Sequence, residues 1–134
     1  MTESLLDAQA RQALTSAYAP YSRLRVGAAV QSTTGHIYCG CNVECASFPI
    51  GGCAERAAIA AAVLAEGPSL ELVEVSICAL DDTDTEQMIP PCGACRQLIL
   101  ELGPSAYVRF LGQGHLRLRM AIDTLLPQAF KLLR

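Results

Sequence analysis

The sequence predicts an α/β fold: a central sheet of five strands covered by helices, within one domain spanning residues 1–134. Two observations predict it. Segments with apolar residues at helical spacing alternate with short β-branched runs, an order that packs helices on a sheet. Gly and Pro punctuate almost every boundary, and no long linker interrupts the series.

The elements follow in order. Leu6, Ala10, Ala13, Leu14 and Ala17 recur at helical spacing and predict a helix over Ser4 to Tyr18, ended by Pro20. Val26 to Gln31 and His36 to Asn42 read as strands joined by a turn at Thr34-Gly35. Pro49, Gly51 and Gly52 mark a loop. The alanine-rich stretch from Ala54 to Glu66 has high helix propensity and stops at Gly67-Pro68. Leu72 to Leu80 predicts a buried strand, and Asp81 to Glu86 an acidic loop. After Pro90-Pro91 come a helix from Ala94 to Leu102 and strands over Tyr107 to Leu111 and Leu116 to Met120. A last helical turn holds Leu125 and Leu126.

Composition excludes several functions. The longest apolar run, Ala57 to Ala65, is too short to span a bilayer, and Met1-Thr2-Glu3-Ser4 does not open an export signal. The expected location is the cytoplasm. The net charge is −3 and no basic run is present, so a small, uncharged or weakly charged substrate fits better than DNA or RNA. Arg117 and Arg119 alternate along a strand and read as a solvated face. The seven cysteines are an odd number in a chain without an export signal, which argues for metal binding over a disulfide framework.

Two segments carry the chemistry: Cys53-Ala54-Glu55, and Pro91-Cys92-Gly93-Ala94-Cys95. Both open predicted helices. Helix N-termini offer free N–H groups and partial positive charge, which favour thiolate, the form that binds zinc. Three thiolate ligands, Cys53, Cys92 and Cys95, leave a tetrahedral ion one open position for water. Arg56 would offset part of the excess negative charge of three thiolates on Zn²⁺. Glu55 diverges from Cys53 on the helix, so it can serve the water instead of the metal. A fourth ligand from Cys39, Cys41 or Cys45 would make the site closed and structural, as in a zinc-stabilised interaction module without catalysis. Cysteines packed as small core residues are the remaining alternative.

A Cys/His-x-Glu segment followed by Pro-Cys-x-x-Cys is the known signature of zinc deaminases. Over nearly its whole length the chain resembles the cytidine deaminase family in its small homotetrameric form. The matching segments are Tyr18-Ala19-Pro20-Tyr21-Ser22, Val26-Gly27-Ala28-Ala29, Gly40-Cys41-Asn42-Val43-Glu44, the two zinc motifs extended to Arg56 and Gln97, and Leu125-Leu126-Pro127 with Ala129-Phe130. The resemblance implies a three-layer fold with a mixed sheet, one zinc per subunit, and a homotetramer. It implies hydrolytic deamination of cytidine or deoxycytidine to uridine or deoxyuridine with release of ammonia, as in pyrimidine salvage. Glu55 would be the catalytic proton carrier and Asn42 and Glu44 the ribose ligands. Leu24 and Ala54 would lie against the substrate, and Phe130 would approach the base in a neighbouring subunit's site. Leu24, Cys45, Phe48, Pro49 and Pro90 depart from the family's usual residues. Leu24 and Pro49 motivate the rival expectation of a modified or antibiotic cytosine nucleoside such as blasticidin S.

Overall fold

A computed structural model describes residues 3–132. Met1, Thr2, Leu133 and Arg134, the ends of the predicted domain, lie outside the described residues. The element order is α1 (Leu5–Leu14), β1 (Arg25–Ser32), β2 (Ile37–Cys41), α2 (Ala54–Glu66), β3 (Leu72–Leu80), α3 (Gly93–Leu102), β4 (Tyr107–Leu111), β5 (Arg117–Ala121) and α4 (Ile122–Leu125). The sheet is mixed, in the order β2-β1-β3-β4-β5. β1 runs antiparallel to β2 and β3, β3 parallel to β4, and β4 antiparallel to β5. Among the described residues no helix is long and apolar enough to cross a membrane.

Period-two alternation divides the strands between two faces. On one face Val26, Ala28, Val30, Val75, Ile77, Ala79, Val108 and Phe110 join Ala58, Ile59 and Ile99 of α2 and α3 in the main core. On the other, Ala29 and Cys78 pack under Leu6, Ala10 and Leu14 of α1. Two glycines permit the closest approaches. A Cβ on Gly27 would sit 2.0 Å from the Ala10 carbonyl oxygen, and one on Gly40 2.3 Å from the Ala58 nitrogen. The second approach lays α2, which opens at the site, directly on β2.

Helix α1 ends at Leu14, one turn before the predicted Tyr18, because residues 18 to 24 are drawn into another pairing. Tyr18 bridges Val43 in parallel. Ser4 caps the helix: its hydroxyl accepts from the Asp7 amide at 3.1 Å, and Asp7 accepts from the Ser4 amide at 2.9 Å. β2 stops at Cys41, so Asn42 lies just past the strand end.

The solvated face expected for Arg117 is corrected by the structure. The Arg117 side chain is only 12% exposed and bonds Asp7 at 2.8 Å. It also reaches Ser76 Oγ at 2.8 Å and the Ile77 carbonyl at 3.0 Å. Arg109 joins the same fully buried carboxylate through Nε at 3.0 Å and Nη2 at 2.9 Å. Arg119 is the more exposed one, pairing with Glu74 at 2.9 Å and lying over the Tyr107 ring. Alternation places these arginines on one face, but only α1 decides which of them is covered.

Burial alone would raise the Asp7 carboxyl; the bonds from Arg109, Arg117 and Ser76 outweigh it and hold the group far below the usual carboxylate range. A depressed folded pKa contributes stability that is complete above the unfolded value, about 4, and is lost as pH falls through the folded value. Asp7→Asn keeps the shape but removes the charge that two buried guanidinium groups share. It should cost roughly 3–5 kcal/mol in urea unfolding at neutral pH, with zinc content unchanged. A loss below about 1 kcal/mol would show the cluster to be dispensable.

Candidate active site and metal centre

The ends of α2 and α3 face each other, and each begins with a cysteine. Cys53 is the N-cap of α2 and Cys92 the N-cap of α3, both with extended backbone; Cys95 lies in the first turn of α3. Their three Sγ atoms lie within 4.8 Å of one another. Cys53 and Cys92 are separated by 3.9 Å, Sγ to Sγ. A tetrahedral ion with Zn–S bonds of about 2.3 Å requires an S···S edge of about 3.8 Å, which the Cys53–Cys92 separation matches, and all three donors lie within 4.8 Å of one another. Among the described residues this metal-binding group has three members, so the fourth position is not closed by Cys39, Cys41 or Cys45. All seven cysteines are free thiols.

Electrostatics favour thiolate. The Cys95 thiol donates to Cys53 and, against the opposing effect of burial, brings it down to about 6, with help from Cys92 and the charge of Arg56. Donation moves Cys95 upward. Metal ions bind cysteine as thiolate, so a divalent ion here displaces the thiol protons. The Cys95 amide also donates to Cys92 Sγ at 3.5 Å, the bond a free N–H of the first turn has to offer.

Glu55 is buried at the start of α2, only 4% exposed. It is outside the thiol group yet touches Cys95. Burial pushes its carboxyl upward, its own amide N–H works against this, and the Cys53 thiolate adds to the rise. A cation on the thiolates acts in the opposite sense.

Beside the thiols opens a cleft of about 290 Å³ whose walls include Asn42, Glu44, Cys53, Ala54, Glu55 and Cys92. The backbone explains the convergence. Val43 and Gly52 exchange hydrogen bonds at 3.1 and 2.9 Å, which sets Asn42 and Glu44 across from Cys53. The cleft also takes in Val26, Ile89 and Pro90. No role for Val26 or Ile89 was legible in the sequence, since an apolar strand residue reads as core. Leu24 does not line this cleft; it is half-buried against the main core, and its carbonyl accepts from Asn42 Nδ2 at 2.8 Å. Phe130 does not line it either. It is 68% exposed, with its carbonyl accepting from Gln97 Nε2 at 2.7 Å. Arg56 is exposed and edges a second, apolar groove along α2.

Arg96 follows the last cysteine of the second zinc motif, and the sequence alone gives it no role. Its side chain donates to the Pro91 carbonyl at 2.8 Å and to the Leu125 carbonyl at 2.8 Å, tying the ligand-bearing loop to α4. A cation in the first turn of a helix faces an unfavourable dipole, and that was the available signal for such acceptors.

Comparison with known proteins agrees with this geometry. Residues 2–111 match the model of the cytidine and deoxycytidylate deaminase zinc-binding region. A cytidine deaminase of Halalkalibacterium halodurans is 40% identical over 132 residues, covering 97% of this chain and 95% of its own. One of Mycobacterium tuberculosis is 39% identical over 129 residues, covering 96% and 90%. The crystal structure of the Burkholderia pseudomallei cytidine deaminase superposes with a TM-score of 0.83 at 39% identity, covering 97% of this chain and all of that one. Three thiols spaced for zinc, in a chain so matched, make zinc the cofactor of Cys53, Cys92 and Cys95. On sequence and fold alike, this chain belongs to the cytidine and deoxycytidylate deaminase zinc-binding family.

Proposed function

We propose that this chain hydrolyses cytidine and deoxycytidine to uridine and deoxyuridine, with Glu55 as its proton carrier. The observation that carries this reading is the position of Glu55: buried beside three zinc-spaced thiols, outside their group, and facing a cleft of nucleoside size. Zinc, when bound, supplies the Lewis acidity that makes water nucleophilic near neutral pH. Glu55 takes the first proton of the attacking water and delivers it to N3 of the pyrimidine. It then carries the second proton from the new C4 hydroxyl to the amino group, the C4–N bond breaks, and ammonia leaves. Asn42 and Glu44 hold the ribose through hydroxyl hydrogen bonds, and Ala54 forms part of the wall.

The antibiotic-nucleoside reading is not favoured. Leu24 and Pro49, which motivated it, do not line the cleft, and the curated relatives above are named cytidine deaminases. A non-catalytic zinc module calls for a fourth protein ligand that the described residues do not provide. The test is ammonia release from cytidine, deoxycytidine and blasticidin S. We expect kcat/KM for the first two to exceed that for blasticidin S by at least roughly 100-fold. A preference for blasticidin S would overturn the reading.

The same reading makes the protein a homotetramer of the cytoplasm, where thiols stay reduced. Support comes from the apolar groove beside Cys53, lined by Ala57, Ala60, Val63, Leu64 and Leu98, with Leu64 89% exposed. In a tetramer Phe130 would serve a neighbouring subunit. Light scattering that gives a monomer mass would remove both statements.

A further inference from the structure

We propose that Ser22 is a positioning residue that sets the Glu44 carboxylate for the sugar hydroxyl; this rests on the reading of Glu44 as a ribose ligand. Residues 18 to 24 lie along residues 42 to 44 as a strap. The Tyr18 amide donates to the Asn42 carbonyl at 3.1 Å, and the Glu44 amide to the Tyr18 carbonyl at 2.8 Å. The side chains complete the pairing. Glu44 Oε1 accepts from the Tyr21 and Ser22 amides at 2.9 and 3.1 Å, and Oε2 accepts from the Ser22 hydroxyl. The Ser22 oxygen in turn accepts from the Leu24 amide at 3.1 Å, so its hydroxyl is aimed at Glu44.

A carboxylate offers about four acceptor positions. Three are taken by the strap, and the position left lies on Oε2, the oxygen that Ser22 orients. The Ser22 hydroxyl, with the two amides, holds Glu44 below the usual carboxylate range, so it is ionised and acceptor-only at neutral pH. A sugar hydroxyl is a matching donor. Asn42 is fixed by the end of this segment and the start of β1: Nδ2 donates to the Leu24 carbonyl at 2.8 Å and Oδ1 accepts from the Val26 amide at 2.9 Å. That leaves one acceptor position and one N–H of the amide for substrate. Leu24 thus acts through its backbone, with its amide on Ser22 and its carbonyl on Asn42. Without the Ser22 hydroxyl, Glu44 keeps two bonds on Oε1 but loses what sets the direction of Oε2.

The experiment compares Ser22→Ala, Ser22→Thr and the unaltered zinc-loaded protein on cytidine, 2′-deoxycytidine and 2′,3′-dideoxycytidine. The unaltered protein should lose efficiency as the hydroxyl read by Glu44 is removed, and the step at which it does so identifies that hydroxyl. Ser22→Ala should raise KM for cytidine roughly five- to tenfold with kcat within about twofold, leave dideoxycytidine kinetics unchanged, and be rescued by Ser22→Thr. In a Glu44→Gln background, Ser22→Ala should add nothing. If the unaltered protein treats all three nucleosides alike, the ribose-ligand reading of Glu44 falls and takes this proposal with it. If it discriminates and Ser22→Ala discriminates equally at unchanged KM, the proposal alone falls. A parallel loss on dideoxycytidine, or loss of zinc, would make Ser22 structural and overturn it.

Discussion

Glu55→Gln should lower kcat for cytidine by roughly 10²–10⁴-fold while the protein still binds one zinc per chain. The amide has the same size and can still hydrogen-bond, so it should occupy the same buried place at the start of α2. It cannot accept a proton from water and pass it on. Because Glu55 lies outside the thiol group, its loss should leave metal content untouched. Elemental analysis beside steady-state kinetics separates the two effects. Normal turnover in the variant would remove Glu55 from the chemistry, and loss of zinc would make it part of the metal site instead.

Cys95→Ala should abolish both zinc binding and activity and lower thermal stability markedly. Cys95 is fully buried where the starts of α2 and α3 converge. Structural zinc sites in zinc-finger peptides bind with apparent free energies on the order of 10 kcal/mol, and losing Cys95 would leave an ion here only two protein ligands, fewer than the three of an open site. Any ion that binds only the folded chain adds stability in proportion to the logarithm of its concentration over Kd. The unaltered protein stripped by a chelator should therefore melt nearer to the variant, and restored zinc should recover the unaltered protein alone. A Cys95→Ala protein that keeps stoichiometric zinc and turnover would contradict the ligand assignment.

Each half of the candidate site was legible because each half is local. Cys53 and Glu55 are two residues apart at a helix start, and Cys92 and Cys95 span one turn of another. The helix propensity of Ala54 to Glu66 and the Pro90-Pro91 boundary mark both helix starts from local sequence. Strand positions were legible for the same reason, through alternation. Asn42 and Glu44 came from the family resemblance, and the structure places them at the cleft wall.

What the sequence alone determined is the two half-motifs, Cys53 with Glu55 and Cys92 with Cys95, because residue type and spacing within one helical turn are local; their meeting across 39 residues is the work of the fold. Tertiary structure alone decided which surfaces are covered. It turned Arg117 inward beneath α1, set Leu24 against the core, left Phe130 outside this chain's cleft, and joined Ser22 to Glu44. Those outcomes depend on pairings between segments distant in sequence, such as Asp7 with Arg117 and Tyr18 with Val43, and local periodicity carries no information about which distant segment will cover a given face.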